Sequence, residues 1–229
     1  MLIHTLLENS QLPSLIMFDL DGTLVNSIPD LTLAVNSTLK KYGQKEITEK
    51  DVGQWVGNGM FLLLKRAFAK NNNCAEEDVS NADVEKCIHI FMKEYEVFNF
   101  KTATLFPGVL ECLQKAQALN IRMAVVTNKP KRFVPKILQG LDIEKYFQYI
   151  VGGDCLPEKK PHPMPLIHCM QHFKASHSET IMVGDSMHDI GAARKANVPV
   201  VAVTYGYNHG EPITKFNPNV VVNSLAELF

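Results

Sequence analysis

The chain has 229 residues, 46% of them hydrophobic and 21% charged, with a formal net charge of −1. That length suits one large domain or a domain with an insert, and it can bury a sizeable core. Lys and Arg are scattered as pairs such as Lys40-Lys41 and Lys65-Arg66, which excludes the basic stripe of a nucleic-acid binder.

The first dozen residues read as a short, poorly specified extension. Residues 14–18 (Ser-Leu-Ile-Met-Phe) form a short apolar run that stops at Asp19, the pattern of a buried strand. From residue 28 to 100 the pattern is helical. Leu31, Val35 and Leu39 recur at helical spacing, then Phe61, Leu64 and Phe68 after Gly57-Asn58-Gly59, then Val84, Cys87, Ile88, Phe91 and Tyr95. No strand is expected there, and Trp55 is read as a packing residue. After Pro107-Gly108 helices and strands alternate: helices over 109–118, 131–139, 163–173 and 187–196, strands over 122–126, 149–151, 180–184 and 200–203, and a further strand at 220–222. Pro135 falls inside the second of these helices and should make it irregular.

Alternating strands and helices predict an α/β fold with a doubly wound parallel sheet, and the helical stretch predicts an inserted all-helical domain. The expected organisation is a discontinuous core of residues 1–27 and 101–229 and an insert of residues 28–100. Ligands in such sheets bind beyond the carboxyl ends of the strands. Asp19, Thr127 and Asp185 each directly follow a predicted strand, so they should meet at one edge.

Five cysteines, an odd number with no C-x-x-C pair, argue against a disulfide framework or a thiolate zinc site. No basic segment precedes an apolar one at the start, and no apolar run nears the ~18 residues of a membrane span. A cytoplasmic protein with no membrane partner is expected.

Four segments carry chemistry. In Asp19-Leu20-Asp21-Gly22-Thr23 two carboxylates lie two residues apart and can point the same way on extended backbone. One can attack phosphorus and the other can trade protons with a leaving alcohol and with water; Asp21-Gly22 also suits a plain turn. Thr127-Asn128-Lys129 offers a hydroxyl, an amide and backbone N–H groups to phosphoryl oxygens; Thr127 could equally cap the following helix. Lys160 in Lys160-Pro161-His162-Pro163 offers a compact positive charge to a phosphoryl group and to Asp19. Asp185 and Asp189 are oxygen donors of the kind Mg²⁺ takes, and acids at a helix start have a structural use as well.

Taken together and in this order, these segments make the chain resemble the haloacid-dehalogenase-like superfamily of phosphohydrolases from about Leu15 onward. Val56-Gly57-Asn58-Gly59, Thr127-Asn128-Lys129-Pro130, Gly152-Gly153-Asp154, Lys159 to Pro163 and Tyr205 to Gly210 resemble the bacterial phosphoglycolate phosphatases within it. The resemblance implies a helical cap, 2-phosphoglycolate as the small-molecule substrate, and Mg²⁺. It implies Asp19 as nucleophile and Asp21 as acid, then base. The Asp19 carboxylate, the Asp21 main-chain carbonyl and Asp185 would bind metal, with Asp189 orienting metal-bound water. Thr127 and Lys160 would hold the phosphoryl group, with Asn128 beside them. An aspartate at position 21, where related ion pumps carry threonine, fits ester hydrolysis. Asn58 is expected either to recognise substrate or to serve a helix-entry turn.

Competing expectations are another small-molecule or sugar phosphatase, a phosphomutase, or a non-catalytic binding protein of the same fold; monomer and homodimer both stay open. His168 and His172 have the i, i+4 spacing of a metal pair but lack the expected acid, since position 169 is Cys169, and are read as helix surface. Tyr205, Tyr207 and Asn208 follow a strand and lie either near the site or in a structural loop.

Overall fold

A computed structural model of the chain describes residues 2–7 and 11–229. Its contacts divide into two compact units, one made of the chain up to Asn26 together with Thr104–Phe229, the other of Ser27–Ala103.

The first unit is an α/β fold built on a six-stranded sheet. Its strands are β1 (Leu15–Phe18), β4 (Arg122–Val126), β5 (Tyr149–Val151), β6 (Thr180–Gly184), β7 (Val200–Val203) and β8 (Val220–Val222), ordered β5-β4-β1-β6-β7-β8. Every pairing in it is parallel. β1, β6 and β7 are buried along their whole length, as strands covered on both faces must be, and so lack polar alternation. Leu15, Met17, Ala124, Val126 and Met182 pack with Leu166, Cys169 and Met170 of α7 (Met164–Phe173) and Ile190, Ala192 and Ala193 of α8 (Met187–Lys195). The alternate residues Ile16, Phe18, Val125 and Val183 are equally buried on the opposite face. α5 (Val109–Ala118) packs on β4, and α6 (Val134–Gly140) follows β4 in the chain with Val134, Ile137 and Leu138 buried. Burying one such large side chain contributes about 1.5–3 kcal/mol.

Three features differ from expectation. The helix expected from residue 131 begins at Val134 after a 3-10 turn, Lys131–Phe133. Pro135 therefore lies in the first turn, where a missing N–H breaks no helical hydrogen bond. A two-residue antiparallel pair, β2 (Val25–Asn26) with β3 (Thr104–Leu105), is present; two residues carry no period to read. The amino-terminal segment is folded over Leu2–Thr5, with Ile3 fully buried and its turn packed near the 3-10 turn Leu225–Leu228; Glu8, Asn9 and Ser10 of that stretch lie outside the described residues.

The second unit is helical: α1 (Ile28–Lys41), α2 (Glu49–Trp55), α3 (Met60–Asn72) and α4 (Asn81–Phe98). Leu31, Val35 and Leu39, with Leu64, Phe68, Val84, Cys87, Phe91 and Tyr95, fill its core, while Phe61 and Ile88, expected in the same stripe, are half-buried. Asp30, in the first turn of α1, is buried and accepts the Lys101 and Thr102 N–H groups and the Thr102 hydroxyl at 3.1, 2.8 and 2.7 Å. Both ends of the unit are tied together there. No helix among the described residues is long and apolar enough to cross a membrane.

Candidate active site

The register of the sheet levels three strand ends. Phe18 pairs with Val125 and Val183, so Asp19 is level with Val126 and Gly184, and Thr127 and Asp185 follow directly. The Asp19 N–H donates to the Val183 carbonyl at 2.9 Å, which holds that residue at the sheet edge. Its carboxylate Oδ1 accepts from the Leu20 N–H at 2.7 Å and lies 3.0 Å from Lys160 Nζ.

Lys160 is 2% exposed. Besides Asp19, its ammonium donates to Asp189 Oδ1 at 2.6 Å and to the Val126 carbonyl at 2.7 Å, so all three N–H bonds are directed. The Asn128 amide donates to the Lys160 carbonyl at 3.0 Å, which ties the loop after β4 to the loop that carries the lysine. The Lys160–Pro161 peptide is cis.

Asp189 is fully buried and accepts from three residues, one of them Asp185, whose N–H lies 3.3 Å from the Asp189 Oδ2. The same oxygen accepts from the Ser186 N–H at 3.0 Å and the Ser186 hydroxyl at 2.7 Å in a capping box at the start of α8, while Oδ1 takes Lys160. Asp185 is fixed by both oxygens: Oδ1 accepts the Thr23 hydroxyl at 2.9 Å and Oδ2 the Tyr207 N–H at 2.7 Å. Gly22 is confined by the same carboxylate. It has φ +88°, and a Cβ there would stand 2.2 Å from Asp185 Oδ2, so neither the backbone angle nor the space admits a side chain.

Asp21 pairs with Lys129, whose Nζ lies 2.9 and 3.0 Å from the two carboxylate oxygens. The Lys129 side chain is 4% exposed. Nothing in the Thr127-Asn128-Lys129 segment marks this lysine as the partner of Asp21; its place three residues after Val126, the end of β4, shows only that it lies near the sheet edge.

Thr127 does not cap the following helix, because α6 starts at Val134 with Phe133 at its N-cap. Its hydroxyl instead accepts the Lys129 N–H at 3.2 Å, closing a turn that brings Lys129 toward Asp21. The structure thus brings together Asp19, Asp21, Thr127, Asn128, Lys160, Asp185 and Asp189. Asn58 belongs to the helical unit, in the turn between α2 and α3, where Gly57 and Gly59 take φ 107° and 92°. His168 and His172 both engage Tyr149: the His168 ring nitrogen lies 2.9 Å from its hydroxyl, and His172 stacks on its ring at 3.7 Å. Tyr205, Tyr207 and Asn208 join the site from the loop after β7: the Tyr205 hydroxyl donates to the Thr23 carbonyl at 2.8 Å, and Asn208 accepts the Met187 N–H at 2.9 Å.

Burial raises the Asp19 carboxyl to about 6; Lys160 opposes this and Asp189 adds to it. Asp185 is pushed well above the usual carboxylate range by burial, then by Asp189 and Asp19. Burial works against the charge of Lys160, but Asp189 and Asp19 outweigh it and hold the ammonium protonated.

The haloacid dehalogenase-like hydrolase family matches residues 16–203, the span that contains every one of these groups but the loop after β7. The chain belongs to that family. It is 44% identical over 218 residues to a phosphoglycolate phosphatase of Pseudomonas syringae pv. syringae, covering 95% of this chain and 79% of the relative. It is 42% identical to a phosphoglycolate phosphatase of Nitrosococcus oceani, covering 94% of this chain and 95% of the relative. The crystal structure of a predicted phosphoglycolate phosphatase from Haemophilus somnus 129pt superposes with a TM-score of 0.87 at 38% identity, covering 94% of this chain and 96% of that one. As a member of this hydrolase family, the chain is a phosphoric monoester hydrolase.

The hydrolase has a donor set that fits a divalent cation. One oxygen from each of Asp19, Asp185 and Asp189 lies within 4.8 Å of the others. Four carboxyl groups, those of Asp19, Asp21, Asp185 and Asp189, face the two ammonium groups of Lys129 and Lys160. A cluster of hard oxygen donors that outnumbers its cations suits a hard dication.

Proposed function

We propose that this hydrolase converts 2-phosphoglycolate and water to glycolate and inorganic phosphate in the cytoplasm, through a phosphoaspartyl intermediate on Asp19, with Mg²⁺ as its cation. The observation that carries the reading is the Asp19 carboxylate at the end of the central strand, 3.0 Å from a fully engaged Lys160 and beside Asp185. The choice of substrate is supported by relatives at 40 and 44% identity that are named phosphoglycolate phosphatase.

An Asp19 oxygen attacks phosphorus while the bond from phosphorus to the glycolate oxygen breaks. Asp21 gives its proton to that oxygen as it leaves. Asp21 then takes a proton from the water that attacks the phosphoaspartate; phosphate departs and the Asp19 carboxylate is restored. Lys160 neutralises Asp19 so that an anionic ester can approach, and Asp189 keeps the lysine oriented. Lys129 holds the Asp21 carboxylate within the site. The Thr127 hydroxyl and nearby backbone N–H groups, with Asn128 bracing the Lys160 loop, receive the phosphoryl oxygens. The Asp19 carboxylate, the Asp21 main-chain carbonyl and Asp185 would hold Mg²⁺, with Asp189 orienting its water; when bound, the cation supplies further neutralisation of the phosphoryl charge.

The test is phosphate release from 2-phosphoglycolate with Mg²⁺, beside a panel of sugar phosphates. Preference for phosphoglycolate supports mechanism and substrate together. Turnover of other esters but not of phosphoglycolate keeps the mechanism and overturns the substrate, and no turnover at all overturns both. Asn58 is included as a substrate-recognition residue of the helical unit; an Asn58→Ala enzyme with unchanged kcat/KM removes it.

A further inference from the structure

The mechanism uses Asp185 but does not explain what holds it. Both of its oxygens are spoken for by neighbours from two separate segments, Thr23 after β1 and Tyr207 after β7. These segments are in turn tied to each other by two phenols. The Tyr205 hydroxyl donates to the Thr23 carbonyl at 2.8 Å, and the Tyr207 hydroxyl donates to Asn26 Oδ1 at 2.6 Å. Tyr205 also packs on Phe106, with ring centroids 4.5 Å apart. Between the two tyrosines, Gly206 lies against the aspartate itself: a Cβ on it would stand 2.1 Å from Asp185 Cβ and 2.5 Å from its Oδ2. Asn208 continues the loop onto the start of α8 through the Met187 N–H.

Groups that hydrogen-bond a ligating carboxylate fix its rotamer and its affinity for the ion. A carboxylate held by one neighbour can swing; one held by both oxygens, with backbone flush against its Cβ, cannot. We propose that Tyr205-Gly206-Tyr207 is the positioning element of the divalent-cation site: it sets the rotamer of Asp185 and thereby the affinity for the metal. Tyr205 and Tyr207 are positioning residues that touch neither phosphate nor the reacting oxygen. The inference rests on the reading of Asp185 as a metal ligand.

The experiment is binding of Mn²⁺ to the whole purified chain, read by the electron paramagnetic resonance of the free ion, for the parent and for Tyr207→Phe, Tyr205→Phe, Gly206→Ala and Asp185→Asn. The phenylalanine variants remove one oxygen each and keep the ring, so they carry the test even if Gly206→Ala fails to fold. Direct loss of a carboxylate's partner weakens a metal site by roughly 10–100-fold. Gly206→Ala, which displaces Asp185 itself, should fall in that range. Tyr207→Phe, one bond further out, should raise the dissociation constant by about 3–10-fold. Its phosphatase activity should be depressed at limiting Mg²⁺ and restored at saturating Mg²⁺, a pattern that general loss of structure does not give. Parent-like Mn²⁺ affinity in both phenylalanine variants, with Asp185→Asn strongly weakened, overturns the positioning role alone. Parent-like affinity in Asp185→Asn overturns the metal reading and the positioning role with it.

Discussion

Asp30 and Asp185 are buried to nearly the same degree, 1% and 3% exposed, but in opposite surroundings. Asp30, in the helical unit, meets only donors: two N–H groups and a hydroxyl converge on it. Asp185, at the sheet edge, also has its donors but shares its space with Asp19 and Asp189, which together with burial push its carboxyl up. A buried carboxylate surrounded by donors is a structural joint. Buried carboxylates crowded against each other cost stability, and a fold keeps them where they do chemistry.

The sharpest way to break this comparison is Asp19→Asn. Loss of the nucleophile should lower turnover on the order of 10⁴-fold or more. The melting temperature of the metal-free variant at pH 8 should equal or exceed the parent's. The raised Asp19 carboxyl means that its charge is less favourable in the folded than in the unfolded chain, so removing that charge relieves a cost. A variant that keeps a tenth of the activity, or melts far below the parent, would make Asp19 another Asp30.

Much of the sheet edge is legible from sequence because its signal is local. β1, β4 and β6 are short apolar runs that end at Asp19, Thr127 and Asp185, and parallel pairing does the rest. What escapes is written in contacts without a period or a side chain. Lys129 has no signal that it reaches Asp21. The donor from Tyr207 to Asp185 is a backbone N–H, which every residue but proline carries. Asp189 admits two readings from sequence, helix start or metal shell, and geometry gives it the capping box and Lys160 at once. In the helical unit the apolar stripe was readable, but Asp30 meets Lys101 and Thr102 across most of the insert's length, where no pattern connects them.

Lys129→Met comes next in expected size. Within the crowded site it is the cation that faces Asp21, as Lys160 faces Asp19. Removing it should lower kcat on 2-phosphoglycolate by about 10²-fold, the lower end of what acid–base catalysis contributes, with KM changed less than about threefold. Lys129→Arg should recover part of the loss. A raised KM with unchanged kcat would instead make Lys129 a substrate-binding cation.

Asp30→Ala should give the reverse profile. It takes the acceptor from the Lys101 and Thr102 donors, which lie on exposed residues that water can reach in part, a loss of about 1–2 kcal/mol. Chemical denaturation should show a lower midpoint, and turnover at 25 °C in the remaining folded enzyme should stay within about twofold. Parent-like stability would mean that the joint is redundant; a collapse of kcat without loss of stability would assign Asp30 to the chemistry.

The smallest effect separates the two units by pH. In the helical unit Glu94 accepts from Lys41 and Ser37, both at 2.5 Å, and these two bonds hold its carboxyl below the ordinary value of 4.5. A depressed acid contributes stability that is fully present above its unfolded pKa and is lost as pH falls through the folded one. Asp19 runs the other way. Raised to about 6, it binds its proton more readily in the folded chain. The metal-free protein should therefore gain stability at this site as pH drops from 7 toward 4. Backbone amide exchange in the presence of a chelator can follow each unit separately. Protection near α1 and α4 should fall below pH 4.5, and protection of β1 and β6 should rise between pH 7 and 5. Adding Mg²⁺ should flatten the second trend, because a cation on the carboxylates favours the charged form that low pH removes. If β1 and β6 instead lose protection steadily on acidification without metal, the carboxylates at the sheet edge stabilise the fold as Asp30 does, and the contrast between the two regions fails.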